Sequence, residues 1–123
     1  MTEYEILDLI SSNTSDMATM FGIYLTVVSA YLVVAYFAGH KLSLIEAVAL
    51  TLLFIFAAGG QALGINNLQV QISVLLESLA EIRELNSYEN NYATNTVAWV
   101  IVMLTGVVVS IVFMWSVRIR NRP

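Results

Sequence analysis

The sequence predicts an all-α integral membrane protein with three transmembrane helices, the second extended into an extracytoplasmic amphipathic or coiled-coil segment. Three observations predict it. Of 123 residues, 59 % are hydrophobic and only 11 % charged, against about 25 % charged in soluble domains. Stretches 17–39, 47–76 and 90–117 lack Asp, Glu, Lys, Arg and His, and each exceeds the roughly 20 residues that cross a hydrocarbon core. From the end of the second span onward, Ile65, Leu68, Ile72, Leu75, Leu79 and Ile82 alternate spacings of three and four, which is a heptad seam.

Residues 1–16 open with Tyr4, Ile6, Leu7 and Ile10 set against Glu3, Glu5 and Asp8, about two turns of extracytoplasmic amphipathic helix. The Ser-Ser-Asn-Thr-Ser run at 11–15 is expected to break it, with Ser15 or Asp16 capping the first span, 17–38. Acids in this leader, where a signal peptide carries bases, mark the first apolar run as a retained span. Gly22, Thr26 and Ala30 line one face of that span at four-residue spacing, small enough for another helix to approach closely. Tyr24 and Tyr31, seven apart, each need a hydrogen-bond acceptor at lipid depth. Residues 39–43 form a tight cytoplasmic turn, in which Gly39 suits a C-terminal cap and Ser43 with Glu46 a capping box.

The second span, 44–65, carries Gly60 and Gly64 as a GxxxG pair, with Gln61 between them as a hydrogen-bonding residue between helices. Followed backwards, the seam passes through Gln61, Ala58, Phe54, Thr51 and Ala47, so one stripe carries oily knobs in 66–85 and mostly small residues in the span. A straight helix over 44–85 is about 63 Å long. The loop expected at 86–95 reaches at most about 33–36 Å, so a bend at Gly59-Gly60 or Gly64 stands as the alternative form. The heptad segment itself reads either as a seam for partners or as a helix lying on the interface or on the N-terminal helix. The third span, 96–117, has Trp99 and Trp115 placed as an aromatic belt and Gly106 and Ser110 as a further small-residue face. The tail, 118–123, adds Arg118, Arg120 and Arg122 as membrane anchors.

An inner C-terminus puts Lys41, Arg118, Arg120 and Arg122 on the cytoplasmic side, four of five basic residues, and leaves Arg83 outside. The expected location is therefore a plasma or bacterial inner membrane, N-terminus out and C-terminus in. The chain has no cysteine and one histidine, and no nucleophile–base pair, paired carboxylates, phosphate loop or metal spacing is visible. We expect no enzyme activity, no catalytic or metal residues and no cofactor. His40, the sole imidazole candidate for haem or chlorin ligation, lies beside Lys41 in a turn and reads as solvated. A net charge of −4 argues against nucleic acid as a partner. The expected partners are the lipid bilayer and, through the small-residue faces and the seam, further copies of the chain or subunits of a larger membrane complex. The expected function is that of an oligomeric, accessory or assembly subunit. In size and span order the chain resembles class I phage holins without sharing a motif. That resemblance implies the alternative, an oligomer that permeabilises or conducts, with Thr51, Gln61 and the tyrosines as candidate lining.

Overall fold

The computed structural model describes residues 2–94 and 98–120, and the described residues are helical with no strand. Helix α1 spans Glu3–Ala38, α2 Leu44–Ala80, α3 Ser87–Thr94 and α4 Ala98–Arg120. Three of them, α1, α2 and α4, are long and apolar enough to cross a membrane.

Helix α1 starts on a capping box: Glu5 N donates to Thr2 Oγ1 at 3.2 Å, and Thr2 N to Glu5 Oε2 at 3.0 Å. It then runs 36 residues without the break expected at 11–15, so neither Ser15 nor Asp16 caps a separate span. The hydroxyls that compete with a helix are turned back into it. Thr14 donates to the Ile10 carbonyl at 2.8 Å and Thr19 to that of Ser15 at 3.2 Å. Ile6 and Met17, buried on either side of the run, hold it against α2, and packing outweighs its poor propensity.

Gly39 ends α1 in the right-handed region, φ −55°, rather than as the left-handed cap expected of it. A Cβ there would meet the Ala35 carbonyl and lie 3.3 Å from Met114 Sδ, so the glycine makes room for α4. The capping box at the start of α2 is as expected: Ser43 N donates to Glu46 Oε2 at 2.8 Å, and Glu46 N to Ser43 Oγ at 3.2 Å.

Helix α2 passes through Gly59, Gly60 and Gly64 without interruption. It stops at Ala80, short of the expected Leu85, and this puts Ile82 outside the helix with 48 % of its surface exposed. Residues 87–94, expected as part of an irregular loop, form α3 instead. Its start is another capping box, with Glu89 N donating to Asn86 Oδ1 at 2.8 Å and Asn86 N to Glu89 Oε2 at 3.1 Å.

Helices α1 and α2 are an antiparallel pair along their whole length, joined by contacts at Tyr31–Thr51, Asn13–Gln71 and Glu3–Arg83. Helix α4 packs on both. Its two hydrogen-bonded contacts with α1 and the turn after it, Tyr24–Met103 and Gly39–Arg118, are each 79 residues apart, so it runs parallel to α1 in one constant register. That register sets Ala98 level with Thr19, and Met20 lies against Gly64. All three apolar helices therefore come level near Thr19, Gly64 and Ala98. On one side of that level lies a three-helix half. On the other a two-helix arm of about 24 Å continues, flanked by α3.

Candidate functional site

The stripe expected to face partners faces α1 instead. Ala47, Thr51, Phe54, Ala58, Ile65, Ile72 and Leu79 are buried within the chain, and Gln61 is half-buried. In the arm the buried line is rotated from the expected seam. Gln69 and Leu76 are buried at 1 % and 3 % exposure, while Leu68 and Leu75 sit at its edge. The rotation follows from the returning chain, whose Leu85 packs beside Leu76 and widens the buried arc on that side.

Polar side chains at the level of the three-helix half are consumed in holding it together. Tyr24 Oη donates to the Met103 carbonyl at 2.6 Å, and Gly106 makes the approach possible because a Cβ would run into that hydroxyl. Thr51 donates to the Ala47 carbonyl at 2.8 Å, which leaves its lone pair to accept from Tyr31 Oη at 3.1 Å. The Tyr31 ring stacks on Phe54 with centroids 4.1 Å apart. Ser110 is buried and donates to the Gly106 carbonyl at 2.7 Å. The tyrosines and Thr51, candidates for a pore lining, thus point at helix neighbours in their own chain.

Arg118, expected among the anchors, turns inward. It is 7 % exposed, and Nη1 donates to the Leu42 carbonyl at 2.5 Å, with those of Gly39 and Ser43 at 3.4 and 3.5 Å. Carbonyls just past a helix C-terminus attract a cation, so Arg118 closes the α1–α2 turn from α4, its guanidinium 5.5 Å from the Trp115 ring centre. Trp115 is half-buried, and Trp99 meets Phe21 edge-on at 5.6 Å. Arg120 is exposed, as the anchor role requires, and Arg122 lies outside the described residues. His40 is exposed in the turn. Among the described residues no group of His, Cys, Asp or Glu is placed to hold a metal ion.

At the tip, Arg83 joins three elements. Nε donates to Glu3 at 2.7 Å, and Nη1 and Nη2 form a fork on Glu89 at 3.0 and 2.8 Å. The Glu89 carboxyl is held below the usual carboxylate range, chiefly by the Arg83 hydrogen bonds, which outweigh the opposing effect of burial, with the Asn86 backbone adding a smaller push in the same direction. The Arg83 guanidinium is correspondingly pushed up.

Other residues expected to face a neighbour stay uncovered. Gly22, Thr26, Ala30 and Gly60 are exposed. A Cβ built on Gly22, Gly59 or Gly60 meets nothing within 4 Å, whereas Gly64 is occupied by Met20, whose Sδ would lie 2.9 Å away. Thr26 bonds the Gly22 carbonyl of its own helix at 2.9 Å. Sequence reasoning missed Gln69, Arg118 and the Arg83 latch. The Asn86-x-x-Glu89 box was a signal for the last of these. Comparison with protein-family models, with curated proteins and with solved structures finds no match to this chain.

Proposed function

We propose that this chain is a small, non-enzymatic integral membrane protein that acts by lateral assembly, packing its spans against further copies or against subunits of a larger membrane complex. In this reading the three-helix half lies in the bilayer and Lys41, Arg118, Arg120 and Arg122 face the cytoplasm. The arm, a short α1–α2 coiled coil, stands in the extracytoplasmic space. The observation that carries it is the division of the glycines. Gly39, Gly64 and Gly106 each accommodate a side chain of their own molecule, whereas Gly22, Gly59 and Gly60 face open space. Lipid tails gain nothing from a missing side chain, but a neighbouring helix gains close approach.

Mass determination in lipid nanodiscs tests this. The wild-type protein is expected as an oligomer, and Gly22→Leu and Gly60→Leu are expected to reduce it toward monomer with helicity unchanged. A strictly monomeric wild type with no co-purifying subunit would sink the proposal. Release of a trapped dye from liposomes would move the function to the holin-like, permeabilising alternative.

A further inference from the structure

The arm has a second uncovered surface, of different chemistry. On α2 and its C-cap, Val70, Val74, Glu77 and Glu81 follow at spacings of four, three and four, on the side opposite Ile72, Leu76 and Leu79. Val70 and Val74 are 52 % and 54 % exposed. In the spans such exposure is covered by lipid, but on an arm clear of the bilayer it is an apolar strip in water. Beside it runs a groove of about 360 Å³ lined by Ser73, Leu76, Glu77, Ala80 and Leu85. Its floor is leucine and alanine and its rim carries a carboxylate. That suits a lysine or arginine side chain, whose aliphatic stem lies on apolar surface while the charge reaches an acid.

The charge around the groove selects the occupant. Eight of the nine acids lie in the arm or its return, namely Glu3, Glu5, Asp8, Asp16, Glu77, Glu81, Glu84 and Glu89, and the single base there, Arg83, is spent on Glu3 and Glu89. A second copy in the same membrane orientation brings as a cation only its own Arg83, likewise paired with Glu3 and Glu89, to this level, because Lys41, Arg118, Arg120 and Arg122 sit at the far end. It brings a second set of acids instead, and like charges repel.

We infer that the Val70–Val74 strip, with the Glu77 groove beside it, is a docking surface for a basic amphipathic helix of a different protein. Apolar anchors of that helix lie on the valines, one basic side chain enters the groove, and others face Glu81. The inference rests on the arm standing clear of the bilayer, as proposed above. It separates two tasks: copies meet through the glycine faces of the spans, and the foreign partner meets the arm.

The test uses the full chain in nanodiscs of zwitterionic lipid. The probe is a short helical peptide with leucine at every third or fourth position and lysine elsewhere, and empty nanodiscs serve as background. Binding to the wild type is expected, with Glu77→Gln several-fold weaker and Asp8→Asn, the same charge change on α1, without effect. Val74→Asp decides between docking and general attraction. The strip predicts about tenfold weaker binding from the lost valine contact, whereas attraction to net charge alone predicts equal or tighter binding, because the variant is more acidic. Equal binding by wild type and Val74→Asp, or no binding by the wild type, overturns the inference. The chain has no cysteine, so Asn67→Cys in sealed vesicles can report the arm separately. Labelling by a membrane-impermeant maleimide is expected, and failure to label overturns the placement of the arm and this inference with it.

Discussion

The three-helix half and the arm are built from the same two helices, yet they are held by different forces. In the half with α4, close approach is bought with small residues, and the contacts that fix the register are directional: Tyr24 on Met103, Tyr31 on Thr51, and Arg118 on the turn. In the arm the register is set by aliphatic burial at Ile6, Ile72, Leu76 and Leu79, and by an ion-paired tip. Each solution suits the solvent proposed for it. Apolar burial drives association only where water is the alternative, and lipid leaves packing and hydrogen bonds to do it. One continuous helix pair thus changes its chemistry at the level of Thr19 and Gly64.

The largest effect that breaks this contrast is expected at Gly106. Gly106→Ala puts a methyl into the Tyr24 hydroxyl, so the bond to Met103 is lost and α4 is pushed away. Overpacking and an unsatisfied hydroxyl together cost about 2–6 kcal/mol, read as a lowered unfolding midpoint in detergent. Gly22→Ala is the matched control. With nothing within 4 Å, it is expected to be neutral or stabilising by about 0.5–1 kcal/mol, because alanine favours a helix. Equal losses at the two glycines would show that their surroundings do not differ.

Leu79→Ala tests the arm alone. Leu79 is fully buried, and the truncation is expected to cost about 2–5 kcal/mol of local packing. The loss should appear as faster amide exchange in 3–16 and 67–80 while α4 keeps its protection. Loss of protection in α4 as well would mean that the two halves unfold as one unit. Tyr31→Phe is the smaller counterpart in the other half. It removes the bond to Thr51 but keeps the stack on Phe54, and about 0.6 kcal/mol is expected, the average for a hydrogen bond between helices in a membrane.

How much of this was legible in the sequence depends on the range of the interaction. Three apolar lengths and the Ser43–Glu46 box are local signals, and they read correctly. The boxes at Thr2–Glu5 and Asn86–Glu89 obey the same rule. They were outweighed by the polar runs beside them, whose composition marks loops only when no packing holds them. What a single sequence does not carry is the register between helices distant in the chain. Gly106 stands opposite Tyr24, and Arg118 reaches the turn, because of an offset that only the packed molecule sets. For the same reason the uncovered glycines cannot be told from the consumed ones by spacing alone.

The smallest expected effect is at the tip, where acid should release α3 and leave the rest of the molecule intact. The Glu89 carboxyl is lowered in the folded protein by the Arg83 fork, so its contribution to stability is fully present above the ordinary carboxylate pKa. It is lost as pH falls through the lowered value, because the unfolded state then binds the proton more readily. One substitution, Arg83→Gln, removes the fork on Glu89 at neutral pH and should release α3 without acid. The expected readout is amide-exchange protection in α3. Protection should fall below about pH 4 in the wild type and be already reduced at neutral pH in Arg83→Gln, where only the Asn86 backbone bond to the Glu89 carboxylate still responds to acid. The Glu3 pair is exposed and the Glu89 pair only part-buried at the end of the arm, so both contribute little to global stability and the unfolding midpoint should barely move. A large fall in that midpoint would mean that the arm depends on its tip more than on the Ile6, Ile72 and Leu79 packing beneath it.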